Sequence, residues 1–155
     1  MKSLVFYSAI LSLLFIGVSC SNGDDNSYIP PMTPVVVNFM ATLTPPSGVT
    51  SSASGSAALK MNVTAKTFEI TVNYTGLTPT HGHIHRTDGA IEIPFSDSTV
   101  ATSPFTVTGS LTDAQILGIM TETYYVNLHT AAYSNGEISG TLTKSGSSGG
   151  GGGGY

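Results

Sequence analysis

From Val35 the chain alternates. Val35, Val37, Phe39, Ala41 and Leu43 stand at every second position, with Val36, Asn38, Met40 and Thr42 between them. A period of two predicts a half-buried strand, and Pro45-Pro46 ends it. The same alternation returns with Ala57, Leu59, Met61 and Val63, and after Ala65-Lys66 with Phe68, Ile70, Val72 and Tyr74, so a hairpin is expected. Gly76-Leu77-Thr78-Pro79 breaks the chain. Beyond it come a strand from Gly82 to His85, a Thr87-Asp88-Gly89 turn, the run Ile91 to Phe95, and a strand from Phe105 to Leu111. Thr112 and Gln115 have the spacing of a helix capping box and lead into Ile116-Leu117-Gly118-Ile119-Met120. Tyr124 to Thr130 alternates again, Ser134-Asn135-Gly136 is a turn, and Ile138, Gly140 and Leu142 make a last strand. Seven or eight short strands with one short helix near 112–120 predict an all-β fold over residues 34–144, an antiparallel Greek-key sandwich or barrel.

The flanking segments read differently. Leu4 to Ile16 is a 13-residue apolar run behind Lys2, shorter than the roughly 20 residues a membrane helix needs. It predicts a signal peptide over residues 1–19. Gly17-Val18-Ser19-Cys20 resembles the lipobox of bacterial lipoproteins, with Gly17 where that motif usually has leucine. The resemblance implies a diacylated Cys20, a lipid anchor, and a location at the outer membrane or cell surface. A plain signal peptide is the alternative. Residues 20–33 are polar and proline-bearing and predict a disordered tether. Asp24-Asp25 within it resembles the acidic sorting signals of surface-exported lipoproteins, or is simply part of a solvated linker. Residues 145–155 predict a disordered Gly/Ser tail.

Composition changes the picture in three ways. Of the 40% hydrophobic residues, 14 lie in the first 20 positions, so the domain itself has a modest core. Serine and threonine number 41, of which 21 are threonine, and charged residues are only 9%, a composition of strands and turns that excludes a helix bundle. Five Lys and Arg against nine Asp and Glu, without a basic cluster, give no footprint for nucleic acid. The lone Cys20 forms no internal disulfide.

The candidate chemistry lies in four histidines: His81, His83 and His85 in one segment, and His129 in a late strand. Residues i and i+2 of a strand share a face, so His83 and His85 point together and Ile84 points away. His81 precedes Gly82 and is placed in the turn. In the late strand Tyr124, Val126 and Leu128 form the apolar side, and His129 faces opposite with Tyr125 and Asn127. If the two strands are neighbours, three imidazoles converge on one outward patch, a donor set for zinc or copper with an open fourth position. His81, Asp88 and Glu92 are candidate extra ligands or orienting partners. The competing reading is of surface histidines at strand ends. No catalytic residue is assigned, because no nucleophile elbow, phosphate loop or paired-carboxylate arrangement stands out.

Gly76-Leu77-Thr78-Pro79 with His83-Ile84-His85, Leu111-Thr112-Asp113-Ala114-Gln115, Tyr125-Val126-Asn127-Leu128-His129-Thr130-Ala131-Ala132 and Asn135-Gly136-Glu137-Ile138-Ser139-Gly140 together resemble the CHRD domain. That domain is named for chordin and is also found in bacterial secreted proteins and lipoproteins. The resemblance spans about Val35 to Thr143, and it implies a secreted β domain without implying an activity. More distantly, Gly76 to His85 is similar to the copper-site strand of Cu/Zn superoxide dismutases, where a Gly-Leu turn leads into a His-Gly-x-His-x-His run. His129 falls where that fold supplies a later copper histidine. The run here is one residue shorter, and both the zinc-binding loop and the disulfide cysteines are missing, so only a single-metal site is implied. Shared architecture does not carry activity with it.

The expectation is a lipid-anchored, monomeric binding module for a protein or glycan ligand, with one copper or zinc ion on His83, His85 and His129. The alternatives are a copper-dependent superoxide dismutase-like oxidoreductase and a purely structural surface domain.

Overall fold

Phe39, Ala41 and Leu43 are buried while Met40 and Thr42 between them are exposed, and the same two-residue period repeats in the neighbouring strands. A computed structural model of the chain describes residues 32–146. The expected signal peptide, Cys20, most of the tether and all but the first residues of the tail lie outside these described residues. The chain forms β1 (Val36–Leu43), β2 (Ser54–Asn62), β3 (Thr67–Thr75), β4 (His81–Arg86), β5 (Ile91–Pro94), α1 (Asp97–Val100), β6 (Phe105–Ser110), α2 (Asp113–Met120), β7 (Tyr124–His129), β8 (Ile138–Thr141) and β9 (Thr143–Lys144).

The strands make two antiparallel sheets, one ordered β6-β3-β2-β1-β9 and the other β5-β4-β7-β8. Their inner faces enclose one core in which Phe39, Leu43, Leu59, Met61 and Ile70 from the first sheet meet Ile84, Val126, Leu128 and Ile138 from the second. Two apolar faces packed in this way are the usual solution for sheets that each bury one side. A bridge between Thr44 and Ser139 ties the end of β1 to β8, joining the sheets along one seam.

The helix expected at 112–120 is present as α2, and its capping box closes in both directions. Thr112 Oγ1 accepts from the Gln115 amide at 3.2 Å, and Gln115 Oε1 accepts from the Thr112 amide at 2.9 Å. The Gln115 side chain also donates to Glu92 O at 3.0 Å, pinning α2 to β5.

Four details differ from the sequence expectation. A second helix, α1, fills the gap before β6; it is one turn long, capped by Ser96 Oγ at 3.2 Å from the Thr99 amide, and it buries Val100. The last run is two strands, because Leu142 donates its amide to Tyr124 O and the chain then crosses to pair with β1. Val35, placed inward by the alternation, lies before β1 and is 55% exposed. His81 is the first residue of β4, paired with His129, and is not in the turn.

Candidate metal centre

β4 and β7 are neighbours, and their register sets His81 opposite His129, His83 opposite Asn127, and His85 opposite Tyr125. All six residues therefore share one face, while Ile84, Val126 and Leu128 on the other face enter the core. The pleat fixes this parity, so the sequence alternation at His83-Ile84-His85 and at Leu128-His129 is what brings the imidazoles together.

His83, His85 and His129 each present a ring nitrogen, and the three nitrogens lie within 4.8 Å of one another. Ring centroids are 5.2 Å apart for His83 and His85, 5.1 Å for His83 and His129, and 5.7 Å for His85 and His129. Backbone carbonyls orient two of the rings. His85 Nδ1 donates to Gly89 O at 3.0 Å, and His129 Nδ1 donates to Ser134 O at 2.8 Å. A carbonyl only accepts, so the proton of each neutral ring sits on Nδ1 and the lone pair on Nε2. His83 faces His129 with its Nδ1, 3.3 Å from His129 Nε2.

The expectation of an outward patch holds for the sheet face and fails for exposure. His85 and His129 are only 7% and 8% exposed, and His83 is half-buried. The reason is cover: the Tyr125 ring stacks on His85 at a centroid distance of 5.2 Å, and the segment after β7 folds over His129. Burial has an electrostatic result. The His83 pKa is pushed down to about 4, first by desolvation and then by repulsion from His129, His85 and His81, with Asp97 opposing. Burial likewise holds His129 below the ordinary imidazole range, against the Ser134 carbonyl, which favours its protonated form. Neutral rings keep their lone pairs for a metal.

The fit can be tested on His85. Its Nε2 is buried and has no hydrogen-bond partner. An orphaned buried polar atom costs roughly 1–3 kcal/mol, and here it is a lone pair on the same face as two further imidazoles. The donor set is three imidazole nitrogens with no carboxylate or thiolate, which suits copper or zinc. The group can hold a metal ion.

The other candidates stand apart. His81 is on the same face but outside the group; its Nδ1 pairs with Asp97 Oδ1 at 2.8 Å, and both side chains are more than half exposed. Asp88 and Glu92 are taken up by Arg86, at 2.6 Å and 3.1 Å. Asp97 was not a candidate in the sequence, where it lies 16 residues from His81 in a stretch without period. The Gly89 and Ser134 carbonyls carry no side-chain signal at all. Asn127, opposite His83, is 5% exposed; its Nδ2 donates to Asn135 O at 3.1 Å and its Oδ1 is unpartnered.

No curated protein matches the chain, and no solved structure matches it. Among protein families, the CHRD domain matches residues 39–142. That span runs from Phe39 in β1 to Leu142 beyond β8, taking in both sheets and all four histidines, and the chain belongs to the CHRD domain family.

Proposed function

We propose that this CHRD domain is a metal-binding module of the cell envelope, carried on a lipid anchor at Cys20 and holding one copper or zinc ion with His83, His85 and His129. The observation that carries the metal reading is the unpartnered, buried Nε2 of His85 beside two more imidazoles. Zinc–nitrogen bonds of about 2.0–2.1 Å in tetrahedral geometry set the nitrogens about 3.3 Å apart. The His83 and His129 nitrogens already have that separation. His83, the least buried of the three, is the ring with room to turn. The lipobox-like Gly17-Val18-Ser19-Cys20 supports the anchor, and an anchored monomer would meet its protein or glycan ligand at the surface.

Metal content decides between this reading and a purely structural domain. The chain from Ser21 onward should carry about one equivalent of copper or zinc, and a variant with His83, His85 and His129 changed to alanine should carry none. Equal content in the two sinks the site. Metal at a hundred times its Kd should also stabilise the folded chain by about 2.7 kcal/mol, a rise on the order of 10 °C in Tm for a domain of this size. For the anchor, Cys20→Ala should move the protein from the membrane to the soluble fraction.

A second reading, a copper-dependent oxidoreductase, draws on one observation: His83 is only half-buried, so a metal on the three rings would keep a side open to solvent. Superoxide turnover by the copper-loaded protein separates the two, since bound copper without turnover leaves binding alone.

A further inference from the structure

The segment between β7 and β8 that covers the histidine face hangs on one buried carboxylate. Glu137 is 7% exposed, a depth that acidic side chains almost never reach unless paired. Among the described residues no cation pairs with it. Two hydroxyls do: Thr130 Oγ1 donates to Oε2 at 2.7 Å, and Ser51 Oγ donates to Oε1 at 2.6 Å. These are short, charge-assisted bonds. A carboxylate desolvated to this degree without a counter-ion is a poor device for stability alone, which directs attention to what it holds.

What it holds is the loop. Thr130 receives the Tyr133 amide on its carbonyl at 3.2 Å, Tyr133 O receives the Gly136 amide at 3.0 Å, and the Glu137 amide returns to Leu128 O at 2.8 Å. Tyr133 Oη donates to Thr50 O at 2.6 Å, next to Ser51. The loop is thereby fastened to the β1–β2 connection at Tyr133 and at Glu137, and Glu137 also ties it back to its first residue, Thr130. Its carbonyls then point back at the histidine face, Ser134 O to His129 Nδ1 and Asn135 O to Asn127 Nδ2.

We propose that Glu137 is the positioning residue of the three-histidine site. By fixing Thr130 and Ser51 it fixes the Ser134 carbonyl, which keeps the His129 proton on Nδ1 and turns the Nε2 lone pair towards His83 and His85. Without that carbonyl the proton is free to move to Nε2, where it points into the site and blocks it. The segment from His129 to Glu137 thus becomes a device for holding one imidazole. The inference rests on the metal reading for its purpose, but its direct effect is on the tautomer of the metal-free protein.

The test uses the full chain labelled with 15N-histidine. In the metal-free protein the His129 nitrogen shifts should report Nδ1–H. In Glu137→Ala a population with Nε2–H should appear, and affinity for zinc or copper should fall about 10–100-fold, the usual effect of losing a ligand's orienting partner. Ser51→Ala and Thr130→Val, each removing one hydroxyl, should fall between, and Glu137→Gln, which keeps one acceptor oxygen, should recover part of the loss. Val107→Ala in β6 of the other sheet serves as a destabilised control and should keep both tautomer and affinity. A folded Glu137→Ala with the native tautomer and affinity overturns the proposal. If Glu137→Ala does not fold, native tautomers in both hydroxyl variants overturn it equally. A protein that binds no metal defeats the metal reading, while the tautomer measurement still judges Glu137.

Discussion

His83 Nδ1 lies 3.3 Å from His129 Nε2, although the β4–β7 ladder sets His83 opposite Asn127 and His129 opposite His81. The two rings reach each other on the diagonal, which leaves room for His85 beside them. Because the His129 proton is on Nδ1, the His83 Nδ1–H donates to His129 Nε2 in the metal-free protein, and His83 must pass to its Nε2–H tautomer before that Nδ1 can take a metal. Protonating both would set two positive charges against each other inside a half-buried site.

Burial of these two rings, with repulsion from neighbouring imidazoles added to it, sets a pH dependence. The His83 pKa is about 4 in the folded chain against an ordinary 6.5, and His129 is lowered in the same direction. Between those values the unfolded chain binds more protons than the folded one, so stability rises with pH there. The metal-free domain should therefore lose stability as pH falls from about 6.5 to about 4, with no contribution from these rings to any change above. Urea midpoints from pH 4 to 8 check this, and His83→Ala should flatten the curve. An unchanged slope in that variant would show that His83 does not carry it.

Two glycines separate backbone strain from crowding. Gly89 and Gly136 both have positive φ, 87° and 115°, but a Cβ on Gly89 meets open space, whereas one on Gly136 would overlap the Asn127 amide. Gly89→Ala should cost about 1–2 kcal/mol from the left-handed backbone alone. Gly136→Ala should cost more, since strain and overpacking of about 1–3 kcal/mol add, and it should also weaken metal binding by displacing the loop that orients His129. Equal losses in the two variants would mean that Asn127 simply moves aside.

α2 sets propensity against packing. Alanine at Gly118 gains about 1 kcal/mol of helix propensity. Its Cβ, however, would overlap the ring of Tyr124, which is 3% exposed and has no free side to move to. Overpacking of this kind costs about 1–3 kcal/mol, so Gly118→Ala should be net destabilising. Gly118→Ala with Tyr124→Leu should recover the helical gain, as a double-mutant cycle would show.

The parity of the site was legible because a strand's period of two leaves no choice: once His83-Ile84-His85 and Leu128-His129 are in strands, Ile84 and Leu128 take the core and the histidines take the other face. That β4 and β7 would be adjacent was not legible, since their paired residues lie 38 to 48 positions apart, from Arg86–Tyr124 to His81–His129, and no local signal selects one strand partner over another. Depth was misjudged for a related reason. The cover on His85 and His129 comes from Tyr125 across the ladder and from the Gly89 and Ser134 carbonyls, and any residue type supplies a carbonyl. α1 escaped notice because one turn with a single buried residue, Val100, has no periodicity to detect. Leu142 kept its expected inward facing, yet the run around it serves two sheets, which alternation alone cannot distinguish.

The pairing of β9 with β1 has one more consequence. Lys144 lies opposite Phe39, and the Ser145 amide donates to Asn38 O, so the chain enters and leaves the domain on adjacent strands at the same end of one sheet. At the far end of β1, after roughly 25 Å of strand, Thr44 bridges to Ser139, which pairs with Asn127 and so adjoins the histidine face. A domain built in this way needs only one point of attachment to whatever carries it. Under the proposed anchor, which precedes β1, His83 and His129 would lie towards the end of the sheets away from the attachment.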